Sequence, residues 1–133
     1  MATFVVDGGL AVITDALGGG SVTEPKYIGW GTGAGTTTRT DTSLFTEKDV
    51  DLTTGTGTRT TGSSSQVTTT TTSDTYQVTG TRTATGAGTV TNAGLWDSAT
   101  ITAGNLFLKG DFTGIGLASG DSIAFTIKCI LDN

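Results

Sequence analysis

A chain of 133 residues with a formal net charge of −5, no histidine and one cysteine leaves few classes of function open. Its seven Lys and Arg residues are scattered singly, so the chain lacks the clustered cations that hold a nucleic-acid backbone. Without histidine it also lacks the commonest general base and the usual metal-ligand sets, and the lone thiol has no partner for a disulfide. We therefore expect no enzymatic activity, no cofactor, no metal and no nucleic acid.

The N-terminal part of the chain predicts a short strand and then the one helix of the protein. Leu10, Ile13 and Leu17 recur at helical spacing over Leu10–Leu17, Asp7 is placed to cap the first turn, and three glycines follow. A helix this short is not stable alone, so it must pack against another surface. Either it plugs one end of a β-sandwich, or it is an arm that docks on a partner subunit.

The acidic residues supply the remaining candidates for chemistry. Glu47, Asp49 and Asp51 alternate in a way that could invite calcium, but the calcium-loop pattern is not met, so a solvated strand edge is the favoured interpretation. These three, or Asp111 with Asp121, could also form a glycosidase-type carboxylate pair. Such enzymes need an aromatic-lined cleft, normally in a larger scaffold, so this activity is not expected.

A stretch rich in threonine, glycine and serine, Thr53–Thr72, contains almost nothing to bury. It is either a mobile loop or part of an extended hairpin that leaves the main body. Val67–Thr72 and Thr75–Thr85 predict a long hairpin that turns at Ser73–Asp74. Its exposed ladder edges would be a natural surface for pairing with neighbouring chains.

The C-terminal stretch predicts the base of the core. Ser122–Leu131 alternates apolar and polar residues, as does Leu106–Thr113, and the glycines of Gly114–Asp121 mark a turn between them. We expect these two strands to form a hairpin or near-hairpin. Cys129 falls on the inward row and should be a buried, inert thiol. The inward row is Ile123, Phe125, Ile127, Cys129 and Leu131.

Together these patterns predict an all-β fold in one domain over residues 1–133. Threonine is about a quarter of the chain and there are 21 glycines, a composition that favours short strands and turns. Seven to nine strands are expected, as in a sandwich or barrel. Trp30 and Trp96 are interpreted as core anchors, and the alternative is a sugar-stacking platform. Further strands are predicted at Thr3–Val6, Lys26–Trp30 and Thr89–Asp97.

The order of several short phrases supports a family resemblance over nearly the whole chain. These phrases are P-K-Y-I-G-W-G-T-G (Pro25–Gly33), T-S-L-F-T-E (Thr42–Glu47), D-T-Y-Q-V-T-G-T (Asp74–Thr81), T-N-A-G-L-W-D (Thr91–Asp97), G-N-L-F-L-K-G-D-F (Gly104–Phe112) and G-D-S-I-A-F-T-I-K (Gly120–Lys128). In this order the chain resembles the capsid cement (decoration) proteins of tailed bacteriophages.

The resemblance implies a jelly-roll-like antiparallel β-sandwich with one short N-terminal helix. It also implies a non-enzymatic structural virion protein, made in the host cytoplasm and located on the outer capsid surface. Such a protein binds the major capsid protein and itself, as a homodimer or homotrimer, and stabilises the shell. The alternative is a phage tail or fibre module that binds a host-surface glycan.

The apolar residues that lie off the inward rows are the candidate subunit contacts. Exposed apolar side chains at such density usually mark interfaces. The candidates are Phe107, Ile115, Leu117 and Ile130. No run approaches the roughly 18 apolar residues of a membrane span, so no membrane partner is expected.

Overall fold

Nine strands and one helix make up the regular structure of residues 3–131, which are the residues that the computed structural model describes. The strands are β1 (Thr3–Val5), β2 (Tyr27–Gly31), β3 (Glu47–Lys48), β4 (Thr60–Thr61), β5 (Ser63–Val67), β6 (Thr75–Thr83), β7 (Gly88–Trp96), β8 (Leu106–Leu117) and β9 (Ser122–Ile130), and the helix is α1 (Asp7–Leu17). The predicted all-β class with one short N-terminal helix is confirmed.

Two antiparallel sheets form the sandwich. The larger has the strand order β1-β8-β7-β2-β3, with β4 also paired to β2, and the smaller has the order β5-β6-β9. Side chains from both sheets meet between them: Ile28 and Leu95 from the larger sheet pack with Val78 and Cys129 from the smaller. The prediction that Cys129 is a buried thiol is therefore confirmed.

The C-terminal strands do not form the predicted hairpin. β8 pairs with β7 and β1 in the larger sheet, whereas β9 pairs with β6 in the smaller one, from Thr75 opposite Ile130 to Thr83 opposite Ser122. The intervening turn crosses from one sheet to the other. Alternation of apolar and polar residues identifies which face of a strand is buried, but it does not identify the strand to which that strand is hydrogen-bonded. The buried faces of β8 and β9 pack against each other across the core, and the two strands are not neighbours in one sheet.

The threonine-rich hairpin is present. β5 and β6 pair from Ser63 opposite Thr79 to Val67 opposite Thr75, and residues 68–74 form the loop between them. The extended-hairpin interpretation of Thr53–Thr72 is therefore correct only for Ser63–Val67, and the predicted strand at Val67–Thr72 is wrong, because all of it except Val67 lies in the loop. The loop is longer than the predicted turn at Ser73–Asp74. The carboxylate of Asp74, at the end of the loop, accepts hydrogen bonds from the N–H groups of Thr69, Thr70 and Thr71.

The helix packs on the sandwich, but only one residue of the predicted stripe, Ile13, takes part in that packing. Val12 and Ile13 pack on the core, whereas Leu10 and Leu17 are exposed. Asp7 is the first helical residue rather than the N-cap, which is Val6 with no side-chain bond. The face is set by Gly9, where an added Cβ would strike the carbonyl of Phe107, so only glycine allows this approach to β8.

We expect Gly9→Ala to lower the free energy of unfolding by about 1–3 kcal/mol, because the methyl group forces α1 away from β8. Urea denaturation measures the change. The matched control is Gly116→Ala in β8, where an added Cβ meets no atom within 4 Å and stability should stay near that of the wild type. Equal stability of both variants would contradict the close packing of the helix.

Candidate interaction surface

Three of the seven basic residues are buried, and each combines an ion pair with an aromatic ring. They are Arg59, Arg82 and Lys109. A charge withdrawn from water is costly unless it is paired and most of its hydrogen-bonding groups are satisfied, and among these three cations only Nε of Arg82 is buried without a partner. All three have partners in residues 32–62, the segment between β2 and β5, in which only β3 and β4 are regular structure.

Arg59 has the most complete set of partners. Its Nε donates to Oε1 of Glu47 at 2.7 Å and its Nη2 donates to Oε2 at 3.0 Å, a bidentate pair. Its Nη1 lies 2.7–2.9 Å from three main-chain carbonyl oxygens in the connection between β7 and β8. The guanidinium carbon lies 3.7 Å from the ring centroid of Trp96. Arg59 therefore fastens the 32–62 segment to the end of β7.

Arg82 fastens the same segment to the smaller sheet. Its Nη2 lies 3.3 Å from Oδ1 of Asp49, its Nη1 donates to the carbonyl oxygen of Thr58 at 3.1 Å, and it lies over the ring of Trp30. Burial lowers the pKa of the Arg82 guanidinium, and the charge of Asp49 opposes that effect. The segment therefore bridges β6 and β2.

Lys109 makes the third attachment, to the larger sheet. Its Nζ donates to Oδ2 of Asp41 at 2.7 Å and to the carbonyl oxygen of Ser43 at 2.9 Å, and lies 3.2 Å from the ring centroid of Phe45. Desolvation raises the pKa of Asp41, but hydrogen bonds from Lys109 and Thr38 outweigh it and leave the pKa below its usual range.

Most of the residues that the sequence analysis named as site candidates take part in these three attachments or lie in the core. Trp30 and Trp96 are buried core anchors, so neither offers a stacking platform for a sugar. Glu47 and Asp49 are ion-pair partners, and Asp51 accepts hydrogen bonds from main-chain N–H groups in its own turn. The solvated-edge interpretation is wrong for Glu47, whose side chain is only 11% exposed because it pairs with Arg59.

The other carboxylate candidates have structural partners too. Asp111 in β8 accepts a hydrogen bond from the N–H of Thr37, and Asp121 accepts one from the N–H of Ala118 in the turn before β9. Across residues 3–131 there is no cluster of three or more His, Cys, Asp and Glu residues that could hold a metal ion.

Two of the four predicted contact residues are buried within the chain. Phe107 is 3% exposed because the β7–β8 ladder shifts register beside it, which lets both Phe107 and Leu108 enter the core. Leu117 is 8% exposed, because a second irregularity in that ladder turns it inward. Ile115 and Ile130 are exposed and stay candidates for contact.

Most of the exposed large apolar side chains lie near the two ends of the chain. Leu17 is 83% exposed and Leu131 is 62% exposed. The full set is Phe4, Leu10, Leu17, Val22, Ile115, Ile130 and Leu131. Of this set, Leu17, Val22 and Leu131 line one groove beside the helix, and Ile130 precedes Leu131 at the end of β9.

A groove of about 340 Å³ lies within this surface, between α1, residues 22–25 and the ends of β6 and β9. Leu17, Val22 and Leu131 form its rim and Cys129 lies in its lining. We call it the helix groove. The sequence offers one signal for it, because Ile130 and Leu131 are consecutive apolar residues where the alternation of β9 ends.

The polar groups beside the helix groove are paired with one another. The hydroxyl of Tyr76 donates to Oε1 of Glu24 at 3.3 Å and to the carbonyl oxygen of Pro25 at 3.2 Å. Burial raises the pKa of Tyr76, and a hydrogen bond from Ser64 is the largest cause that lowers the pKa of Glu24. The groove therefore presents mainly apolar surface, and the one thiol in its lining, that of Cys129, is buried.

Comparison of the chain with protein-family models, with curated proteins and with solved structures finds no match. Within residues 3–131, no helix has the length and apolar character needed to cross a membrane.

We expect Arg59→Met to lower the free energy of unfolding by about 3–5 kcal/mol, because it leaves the buried carboxylate of Glu47 and three carbonyl groups without their donor. Urea denaturation is the measurement. The matched control is Lys26→Met, which removes an exposed ion pair with Glu24 and should change stability by at most about 1 kcal/mol. A similar loss in both variants would contradict the attachment role of Arg59.

The carboxylate of Asp74 makes the free energy of unfolding depend on pH. Hydrogen bonds from the N–H of Thr71 first, and from Thr70, Thr75 and Thr69, hold the pKa of Asp74 far below its usual range. The unfolded chain takes up this proton near pH 4, so the contribution of Asp74 is present above about pH 4 and lost as pH falls further. We expect Asp74→Asn to be less stable than the wild type at pH 7, with the difference shrinking between pH 5 and pH 2. Urea denaturation across this range checks it, and a constant difference would contradict the role of the carboxylate.

Proposed function

We propose that this chain is a non-enzymatic structural virion protein, a capsid cement or decoration protein of a tailed phage. It binds the shell of major capsid protein from the outside and stabilises it. The proposal rests on the family resemblance of the sequence together with one structural observation, the helix groove lined by the exposed apolar side chains of Leu17, Val22 and Leu131.

That observation supports a role in binding because apolar surface of this kind is costly to leave in water. Leu17 and Leu131 are among the most exposed apolar side chains, and both line the helix groove. Contiguous exposed apolar patches mark interaction surfaces more often than single exposed residues do. We assign the helix groove as the contact with the shell.

The rest of the structure suits a binding protein that must keep its shape. The three buried cations hold the long 32–62 segment against both sheets, so little conformational freedom would be lost on binding. Each copy would contribute a modest interface, and the symmetry of a shell would multiply it over many copies. The acidic net charge keeps a particle covered with such a protein soluble.

The alternative function, a tail or fibre module that binds a host-surface glycan, has less support. It depended on Trp30 or Trp96 as a stacking platform, and both rings are buried beneath arginine side chains. A glycan would have to bind elsewhere on the surface.

The test of the proposed function is binding to undecorated heads. We expect the wild-type protein to saturate the heads at a fixed stoichiometry and to raise the temperature at which they rupture. Leu17→Ser should weaken this binding by roughly tenfold or more, because it removes the most exposed apolar side chain of the helix groove from the contact. Its own folding stability should change little, since the side chain is 83% exposed.

Ile115→Ser is the matched control, because it removes an exposed apolar side chain that lies outside the helix groove. It should bind heads as the wild type does. If Ile115→Ser loses binding and Leu17→Ser keeps it, the contact surface is assigned wrongly. If the wild-type protein ignores heads and binds cell envelopes, the proposed function itself is wrong.

A further inference from the structure

The strand β9 has one unpaired edge, and its hydrogen-bond pattern can be read from the residues that flank it. Leu131 N–H donates to the carbonyl oxygen of Asp74 at 2.9 Å, and Ala84 N–H donates to that of Asp121 at 2.7 Å. Both pairs continue the register of the β6–β9 ladder. Hydrogen-bonded and non-hydrogen-bonded pairs alternate along an antiparallel ladder, so the odd-numbered residues of β9 bond to β6. The even-numbered residues direct their N–H and C=O groups away from the sheet.

Nothing among residues 3–131 covers that edge. The main-chain groups of its even-numbered residues have no hydrogen bond to another segment, and their side chains are exposed. These residues are Ser122, Ala124, Thr126, Lys128 and Ile130. Soluble proteins usually protect a free edge with proline, a bulge or several charges. β9 has an unbroken nine-residue register and only Lys128 as a charge, and it is the longest strand at a sheet edge in the described chain.

The core is also open along the same edge. Ile123, Phe125 and Ile127 point inward but are only half-buried. A groove of about 160 Å³ runs between β9 and the β1–β8 side of the larger sheet, and Phe112 and Phe125 lie in its lining. A strand added beside β9 would satisfy the free main-chain groups and cover these apolar side chains at the same time.

We propose that the added strand is β9 of a second copy of this chain, paired antiparallel about a two-fold axis at Thr126. The two smaller sheets would then join into one six-stranded sheet. In this register Phe125 faces Ile127 of the second copy on the inner side, and Ala124 faces Lys128 on the outer side. Apolar residues meet apolar residues, and the only charge in the strand meets a small neutral residue.

Self-complementarity is what favours a second copy over an unrelated strand. An isologous contact requires one surface to match itself after a two-fold rotation. A pairing centred on Thr126 uses the whole of β9, from Ser122 to Ile130, and places no like charges opposite each other. The other edge of the smaller sheet, β5, is shorter, and Gly62 next to it is already hydrogen-bonded to Lys26. The dimer does not depend on the proposed function and is tested without capsids.

The register is tested by adding and then compensating a charge. Sedimentation equilibrium on the wild-type protein should give a dimer of the 13.4 kDa chain. Ala124→Lys should raise the dimer dissociation constant roughly tenfold, because it places two like-charge pairs across the two-fold axis. The double variant Ala124→Lys with Lys128→Glu should restore association to wild-type strength or better, since both pairs become attractive. A merely structural role for Ala124 would not give this rescue.

Both variants should keep the fold, because Ala124 and Lys128 lie opposite the uncharged Thr81 and Gln77 within the chain. The matched control is Thr81→Lys, which adds the same charge one strand further from the axis. It should change the dissociation constant by less than about twofold, as expected for screened charges that are not directly opposite.

Amide hydrogen exchange gives an independent readout. In the wild-type dimer, the amides of Ala124, Thr126 and Lys128 should be protected, and Ala124→Lys should expose them. Phe125 and Ile127 should stay protected in both proteins, because their amides bond to β6. A wild-type monomer at millimolar concentration, a trimer, or no rescue by the double variant would each overturn the proposal.

Discussion

Buried positive charge is the constraint on which the rest of this structure depends. Arg59, Arg82 and Lys109 would each cost several kcal/mol to remove from water without a partner. Each is held by a carboxylate, by main-chain carbonyl groups and by an aromatic ring, and the 32–62 segment supplies partners to all three. A segment with few apolar residues is thereby fixed on the sandwich by polar contacts with strict geometry. Such contacts specify one arrangement more than they add stability.

The same contacts determine what is left for function. Most of the carboxylates that the sequence offers for catalysis or metal binding are committed to ion pairs or to turns, and both tryptophans are committed to the core. What remains accessible is apolar surface at the helix groove and unpaired main chain along β9. A rigid body with these two features is suited to fitting other surfaces, and its two contact regions adjoin each other at the end of β9.

Local sequence patterns predicted those features that depend on one strand at a time. Alternation identified the inward row of β9 from Ile123 to Cys129, although Leu131, predicted as part of that row, is exposed. The run Thr75–Thr85 identified β6, but the other arm of the hairpin is Ser63–Val67 and not the predicted Val67–Thr72. Such patterns do not predict which strands pair with β8 and β9, because that pairing depends on which sheet each strand joins. The inward positions of Phe107 and Leu117 follow from register shifts that have no local signature. The exposed face of the helix followed from Gly9, whose contact is with a strand almost a hundred residues away.

The buried cations were the least predictable part of the structure. A single arginine in a Thr- and Gly-rich strand is ordinarily a surface residue, and its burial requires a carboxylate and an aromatic ring that arrive from distant positions. Arg59 and Trp96 are an example, since they meet only when the β7–β8 connection closes over the 32–62 segment.

The attachment of the 32–62 segment also determines how this chain meets a protease. Arg39, Lys48 and Arg59 are sites that trypsin would cut in an extended chain, and they lie in the part with the least regular structure. A protease needs several consecutive residues released from the surface. Releasing them here would leave three charges without partners inside the sandwich, so local opening costs nearly as much as opening the whole protein. The segment that looks most like a loose loop in sequence is thus protected from digestion by the cost of exposing these buried charges.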